Sequence, residues 1–166
     1  MKRYILITLC AAMCLTSCKW DGEPQVSPVI SNSYFVAYHP DSLHTFDTLA
    51  ITVVDKENYI DTIAVGDTVR FYVGLDAVTN QLTSFVVSTD TTVLSLSMLV
   101  TSEFRQALEA TSDPDHGILN FKPGYRAAAL PVQYIAKKIG TPKVTMKLSS
   151  DSQYSPTEIS FFQKID

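Results

Sequence analysis

A stretch of strict alternation constrains this chain more than any other feature. Val69, Phe71, Val73 and Leu75 alternate with Thr68, Arg70, Tyr72 and Gly74. Successive side chains of a strand point to opposite faces, so a period of two buries one face of a sheet and leaves the other to water. The signature recurs. Tyr34 to Tyr38 is a short β-type run, Leu49, Ile51 and Val53 alternate with Ala50, Thr52 and Val54, and Leu82 to Val87 is a mixed strand. Leu94, Leu96, Met98 and Val100 follow, then Leu119 with Phe121. Leu130, Val132, Tyr134 and Ala136 make another set, and after them come Val144, Met146 and Leu148, then Ile159 and Phe161. Turn chemistry separates these runs at Val65-Gly66-Asp67, Thr89-Asp90, Lys122-Pro123-Gly124, Gly140-Thr141-Pro142 and Ser155-Pro156. Short strands at this spacing predict an all-β fold, an antiparallel β-sandwich, rather than a parallel α/β sheet.

One segment departs from the pattern. Phe104, Ala107 and Leu108 lie at helical spacing, with Thr101 or Ser102 available to cap. A single short helix is expected over residues 102–110, lying across one end of the sandwich.

The N-terminus reads as an address. Met1-Lys2-Arg3 is a short positive region, and Tyr4 to Leu15 is apolar with no acidic residue. That is the pattern of a secretory signal, too short for a bilayer-spanning helix. It ends Leu15-Thr16-Ser17-Cys18, which resembles the lipobox of bacterial lipoproteins: an aliphatic residue, two small residues, then the cysteine that accepts lipid. The resemblance implies removal of residues 1–17, acylation of Cys18, and attachment to the outer membrane, facing the periplasm or the surface. Each buried CH₂ contributes about 0.8 kcal/mol, so several acyl chains on one cysteine anchor a protein durably. Cys10 and Cys14 fall in the removed segment, which leaves the mature chain with no disulfide and no thiolate chemistry. Residues 18–33, with Gly22, Pro24 and Pro28, read as a lipidated tether, and 34–166 as the folded domain. Lys19-Trp20-Asp21-Gly22-Glu23 is similar to the acidic tags that send some lipoproteins to the cell surface.

Charge narrows the partners. The chain carries 13 basic and 17 acidic residues, and loss of Lys2 and Arg3 leaves the remainder two charges more negative than the net −4 of the whole. An acidic surface argues against nucleic acid, which binds basic patches, and against docking on anionic lipid headgroups.

Ile63 to Phe71, followed by Phe85 to Leu94, resembles bacterial immunoglobulin-like domains, which carry a Val-Gly-Asp turn before one strand and a Ser-x-Asp-x-x-Val turn before another. Gly124 to Ser149 is similar to their closing strand pair. The resemblance implies an immunoglobulin-like sandwich; the family's usual Trp is absent, with Phe85 nearest its place. The whole also resembles small lipoproteins of anaerobic gut-type Gram-negative bacteria. Fold of this kind implies little about activity. Five tripeptides, those holding Ser42, Thr48, Thr62, Thr68 and Thr91, each place Asp before a hydroxyl residue and an aliphatic residue or Thr after it. This resembles the O-glycosylation acceptor pattern of one Gram-negative lineage; Asp-Thr also simply ends turns and begins strands.

Candidate chemistry is sparse. His39 and His44 flank Asp41 and could approach a metal, but a site needs three or four ligands. Asp113 and Asp115, before Gly117, make a fragment of a calcium loop without its later bidentate Glu. Solvated turns are the simpler reading of both. Tyr59, Tyr125 and Tyr154 lie near turns, where rings stack on sugars or anchor a protein partner. The chain has no Gly-x-Ser-x-Gly elbow, Ser-x-x-Lys, His-Glu-x-x-His or phosphate loop. The expectation is a non-enzymatic envelope module that needs no cofactor and binds a glycan or a protein. The alternatives are a small polysaccharide or envelope hydrolase and a structural subunit of a surface assembly.

Overall fold

The computed structural model describes residues 26–40 and 46–166, and the expectations for Cys18, Ser42 and His44 lie outside them. The protein is an all-β sandwich. One sheet, A, runs β3 (Phe46–Leu49), β2 (Phe35–Tyr38), β6 (Thr68–Asp76), β10 (Ala127–Ala136) and β8 (Leu94–Met98), with β1 (Val29–Asn32) also paired to β6. The other, B, runs β4 (Ile51–Val54), β5 (Glu57–Ile63), β12 (Thr157–Ile165), β11 (Lys143–Ser150), β7 (Leu82–Ser88) and β9 (Ile118–Asn120).

The alternation in β6 does what its period dictates. Val69, Phe71, Val73 and Leu75 are each at most 1% exposed, while Tyr72, between them, is 59% exposed. Inner residues of both sheets close the core around an aromatic cluster. Phe35 lies 4.6 Å from Phe71 and 5.0 Å from Phe161 between ring centroids, and Tyr134 lies 6.3 Å from Phe71. Full burial of such a ring stabilises by about 1.5–3 kcal/mol.

Four features differ from expectation. Residues 29–32 are not tether: they form β1, in register with Val73 to Asp76, and Ser33 exchanges bonds with Tyr72. The run from Leu49 to Val53 is not one strand. Leu49 ends in sheet A opposite Phe35, the chain crosses at Ala50, and Ile51 joins sheet B opposite Ile60. Asp61 accepts from the Ala50 N–H at 2.7 Å and fixes that crossing. Sheet B is mixed rather than wholly antiparallel, because β12 runs parallel to β5. Finally, the helix, α1, covers only Ser102–Arg105, with Thr101 capping the Phe104 N–H at 3.2 Å. Ala107 and Leu108 are buried as expected, but Leu108 bridges to Phe121 as strand-like backbone. Sheet pairing wins over so short a helix, whose nucleation cost few bonds offset.

Candidate functional site

The strand register builds a surface on the outer face of sheet A. Phe46 opposes Tyr38, Tyr38 opposes Thr68, and Thr68 opposes Ile135. One row along, Thr48, Val36, Arg70, Gln133 and Ser97 are aligned across five strands. A third row pairs Tyr72 with Pro131. Tyr34, at the bulge between β1 and β2, lines the same depression as Tyr38, Arg70 and Tyr72. The rings are open to solvent: Tyr34 is 70% exposed, Phe46 60% and Tyr38 40%.

Arg70 sits at the middle of these rows and is held in place. Its Nη2 donates to Gln133 Oε1 at 3.1 Å, and its guanidinium carbon stands 5.5 Å from the Tyr38 ring centroid. Its Nε–H is buried without a hydrogen-bond partner. Among the described residues of the three rows, Arg70 is the single formal charge. Beyond Tyr72 the face dips into a hollow of about 500 Å³ lined by Tyr72, Leu99, Pro131, Arg105 and Asp115 among others. The arrangement offers flat rings for stacking and a fixed planar fork of donors for an acidic group.

The residues singled out from sequence are scattered. Tyr59 stacks on Phe162 at 5.1 Å and donates to Glu57 at 3.1 Å, which raises its hydroxyl pKa. Tyr125 lines a hollow with Phe104 and Phe121, and Tyr154 is an exposed ring in the β11–β12 turn. No recorded contact joins the three. Thr48, Thr62 and Thr91 are exposed, and Thr68 is half-buried.

The metal candidates do not converge. Among the described residues, no group of three His, Cys, Asp or Glu side chains is placed to hold a metal ion. His39 instead lies between two carboxylates, Nδ1 at 2.8 Å from Asp67 and Nε2 at 3.1 Å from Asp47. The hydrogen bond that His39 donates to Asp47, then that to Asp67, raises its pKa. Asp113 pairs with His116 at 2.7 Å. Asp115, His116, Thr91 and Lys137 all line a cleft of about 420 Å³ that also takes in residues of β7 and β8. Its floor is apolar, from Val87, Leu94 and Leu96, and Asp115 is the one carboxylate among its described lining residues.

Tyr34, Tyr38, Phe46 and Tyr72 were not singled out from the sequence as contact residues. The available signal was in β6 itself, where the water-facing positions of a strong strand hold Arg70 and Tyr72.

No family model matches the sequence. No curated protein matches it either. Among solved structures, the chain is similar to a DUF4466 family protein from Parabacteroides merdae, with a TM-score of 0.40, 12% identity, and coverage of 84% of this chain and 44% of that one. It is similar to one chain of a dockerin–cohesin complex, at TM-score 0.39 and 16% identity, over 65% of this chain and 97% of that one. A third similarity is to domains 4 and 5 of the S-layer protein SbsC, at TM-score 0.35 and 16% identity, over 72% and 51%. The chain thus spans less than half the length of the Parabacteroides protein.

Proposed function

We propose that this protein is an exported, lipid-anchored envelope module, non-enzymatic, which binds a glycan or protein partner on the outer face of sheet A. One observation carries the binding role: four exposed aromatic rings gather on one sheet face around a held arginine. Leaving a large ring in water forgoes about 1.5–3 kcal/mol of burial. A cluster of such rings marks a surface whose burial comes from a partner. The anchor rests on the Leu15-Thr16-Ser17-Cys18 motif and the apolar segment before it.

Two experiments test the reading. Cys18→Ala should move the protein from the membrane fraction to the soluble fraction; unchanged fractionation contradicts the anchor. The full chain, purified in detergent, should give hits on a glycan array or with a purified envelope protein that Tyr38→Ala and Tyr72→Ala each weaken at least about tenfold, the loss of one well-stacked ring. Binding untouched by both substitutions contradicts the assigned face. A structural subunit of a surface assembly would need a strand free to exchange between copies. β2 lies between β3 and β6, so its exchange would break pairing on both sides.

A further inference from the structure

We infer that the partner of this face is an acidic polysaccharide, and that Arg70 is the residue that reads its carboxylate or sulfate groups. The inference rests on the binding role assigned above and adds the ligand's chemical class.

Charge is the first argument. The chain is acidic, at net −4, yet the rows through Thr68, Arg70 and Tyr72 carry no carboxylate among the described residues. Within these rows Arg70 stands without a carboxylate beside it, the nearest acid on the same face of β6 being Asp76 two rows beyond Tyr72, and that local arrangement is complementary to a negatively charged partner. The second argument is donor supply. A guanidinium has five N–H donors in a rigid fork that fits carboxylate or sulfate oxygens in pairs. Gln133 takes one of them, Nε–H is buried unpaired, and no carboxylate among the described residues pairs with Arg70. The third is preorganisation. Tyr38 beneath and Gln133 beside the guanidinium fix its plane, so a ligand acid meets donors already oriented.

The rings select a saccharide over other acids. Tyr34, Tyr38 and Tyr72 surround Arg70, and Phe46 continues the line with its centroid 6.2 Å from Tyr38. A pyranose presents an apolar C–H face to such rings and its hydroxyls and acid to the polar groups between them. Gln133, Thr48, Ser95 and Ser97, placed on the same face by register, supply neutral partners for hydroxyls. A chain of sugars can lie along the face from Phe46 past Arg70 to the hollow beyond Tyr72, where Arg105 offers a second cation beside Asp115.

The test uses matched polymers and the full chain in detergent. Polygalacturonate is compared with its methyl ester, and dextran sulfate with dextran, by titration calorimetry at low and moderate salt. The expected result is binding of one charged polymer at least about tenfold tighter than its neutral counterpart, weakening as salt rises. Arg70→Gln should abolish that preference, and Arg70→Lys should restore part of it, since charge returns without the fork. The two pairs distinguish carboxylate from sulfate. Equal binding of charged and neutral polymers, lost in Tyr72→Ala, overturns the acidic class and leaves the binding face standing. Polymer binding unmoved by Arg70→Gln, Tyr38→Ala and Tyr72→Ala, or no binding to any polymer, overturns the inference, and in the first of these cases the face with it.

Discussion

Tyr134 donates its hydroxyl to Gln163 Oε1 at 2.6 Å, joining β10 of sheet A to β12 of sheet B through the core. Both residues are fully buried. The Gln163 amide nitrogen donates in turn to the carbonyls of Asp61, at 2.8 Å, and Lys164, at 2.9 Å. A buried polar pair is tolerated when every member finds a partner, and here it also fixes how the two sheets register. Burial raises the Tyr134 pKa well above its ordinary value, so the donor stays protonated. Tyr134→Phe leaves Gln163 Oε1 without its partner and should cost about 1–3 kcal/mol, read as a lower urea midpoint at unchanged slope. An unchanged midpoint would show that the pair does not hold the sheets.

His39 supplies a pH dependence. Both ring nitrogens face carboxylates, which suits the doubly protonated ring, and the folded pKa is raised above the ordinary value. The contribution to stability is therefore complete below the unfolded value near 6.5, and it is lost as pH rises through the raised folded value. NMR titration of the His39 ring should give a midpoint above 6.5. His39→Gln should flatten the fall in stability over that window. A midpoint at or below the ordinary value contradicts the arrangement.

Gly117 cannot carry a side chain. Its φ is +74°, and a Cβ there would fall 2.3 Å from the Val87 carbonyl oxygen. Its own carbonyl accepts from the Val87 N–H at 2.8 Å, which holds the 3₁₀ turn Pro114–His116 against β7. Gly117→Ala should destabilise by at least about 2 kcal/mol, from left-handed strain plus the clash. Thermal unfolding checks this, and a neutral effect would contradict the close approach.

Glycosylation at the Asp-hydroxyl sites, if the acceptor pattern holds, should follow exposure. Thr48, Thr62 and Thr91 present their side chains to solvent, whereas Thr68 is half-buried in a central strand between Tyr38 and Ile135. Peptide mapping of native protein should find sugar on one of the first three and none on Thr68. An intact mass with only the lipid addition contradicts modification.

The sandwich was legible because burial on one face leaves a period-two trace, and β6, β10 and β11 carry it cleanly. What stayed hidden has physical causes. β1 is four residues long and mostly exposed, with Ile30 alone partly packed on the core, and it gains most of its order from pairing with the backbone of β6. The crossing at Ala50 is invisible in the sequence, because the apolar alternation runs on through it although Leu49 is buried in sheet A and Ile51 and Val53 are exposed on sheet B. The parallel pairing of β5 with β12 is a long-range choice that local pattern does not encode. The candidate site was hidden for a different reason. Tyr34, Tyr38, Phe46 and Tyr72 count as ordinary strand residues until the register sets them on one face around Arg70.

The central claim is that the outer face of sheet A is where this protein meets its partner. Backbone shift mapping of the isotopically labelled chain, titrated with the tightest-binding polymer, tests it most directly. The account predicts perturbations centred on Tyr38, Arg70, Tyr72 and Gln133 and none at the cleft bordered by Thr91, His116 and Lys137. Perturbations centred on that cleft, with the sheet face unmoved, would contradict it.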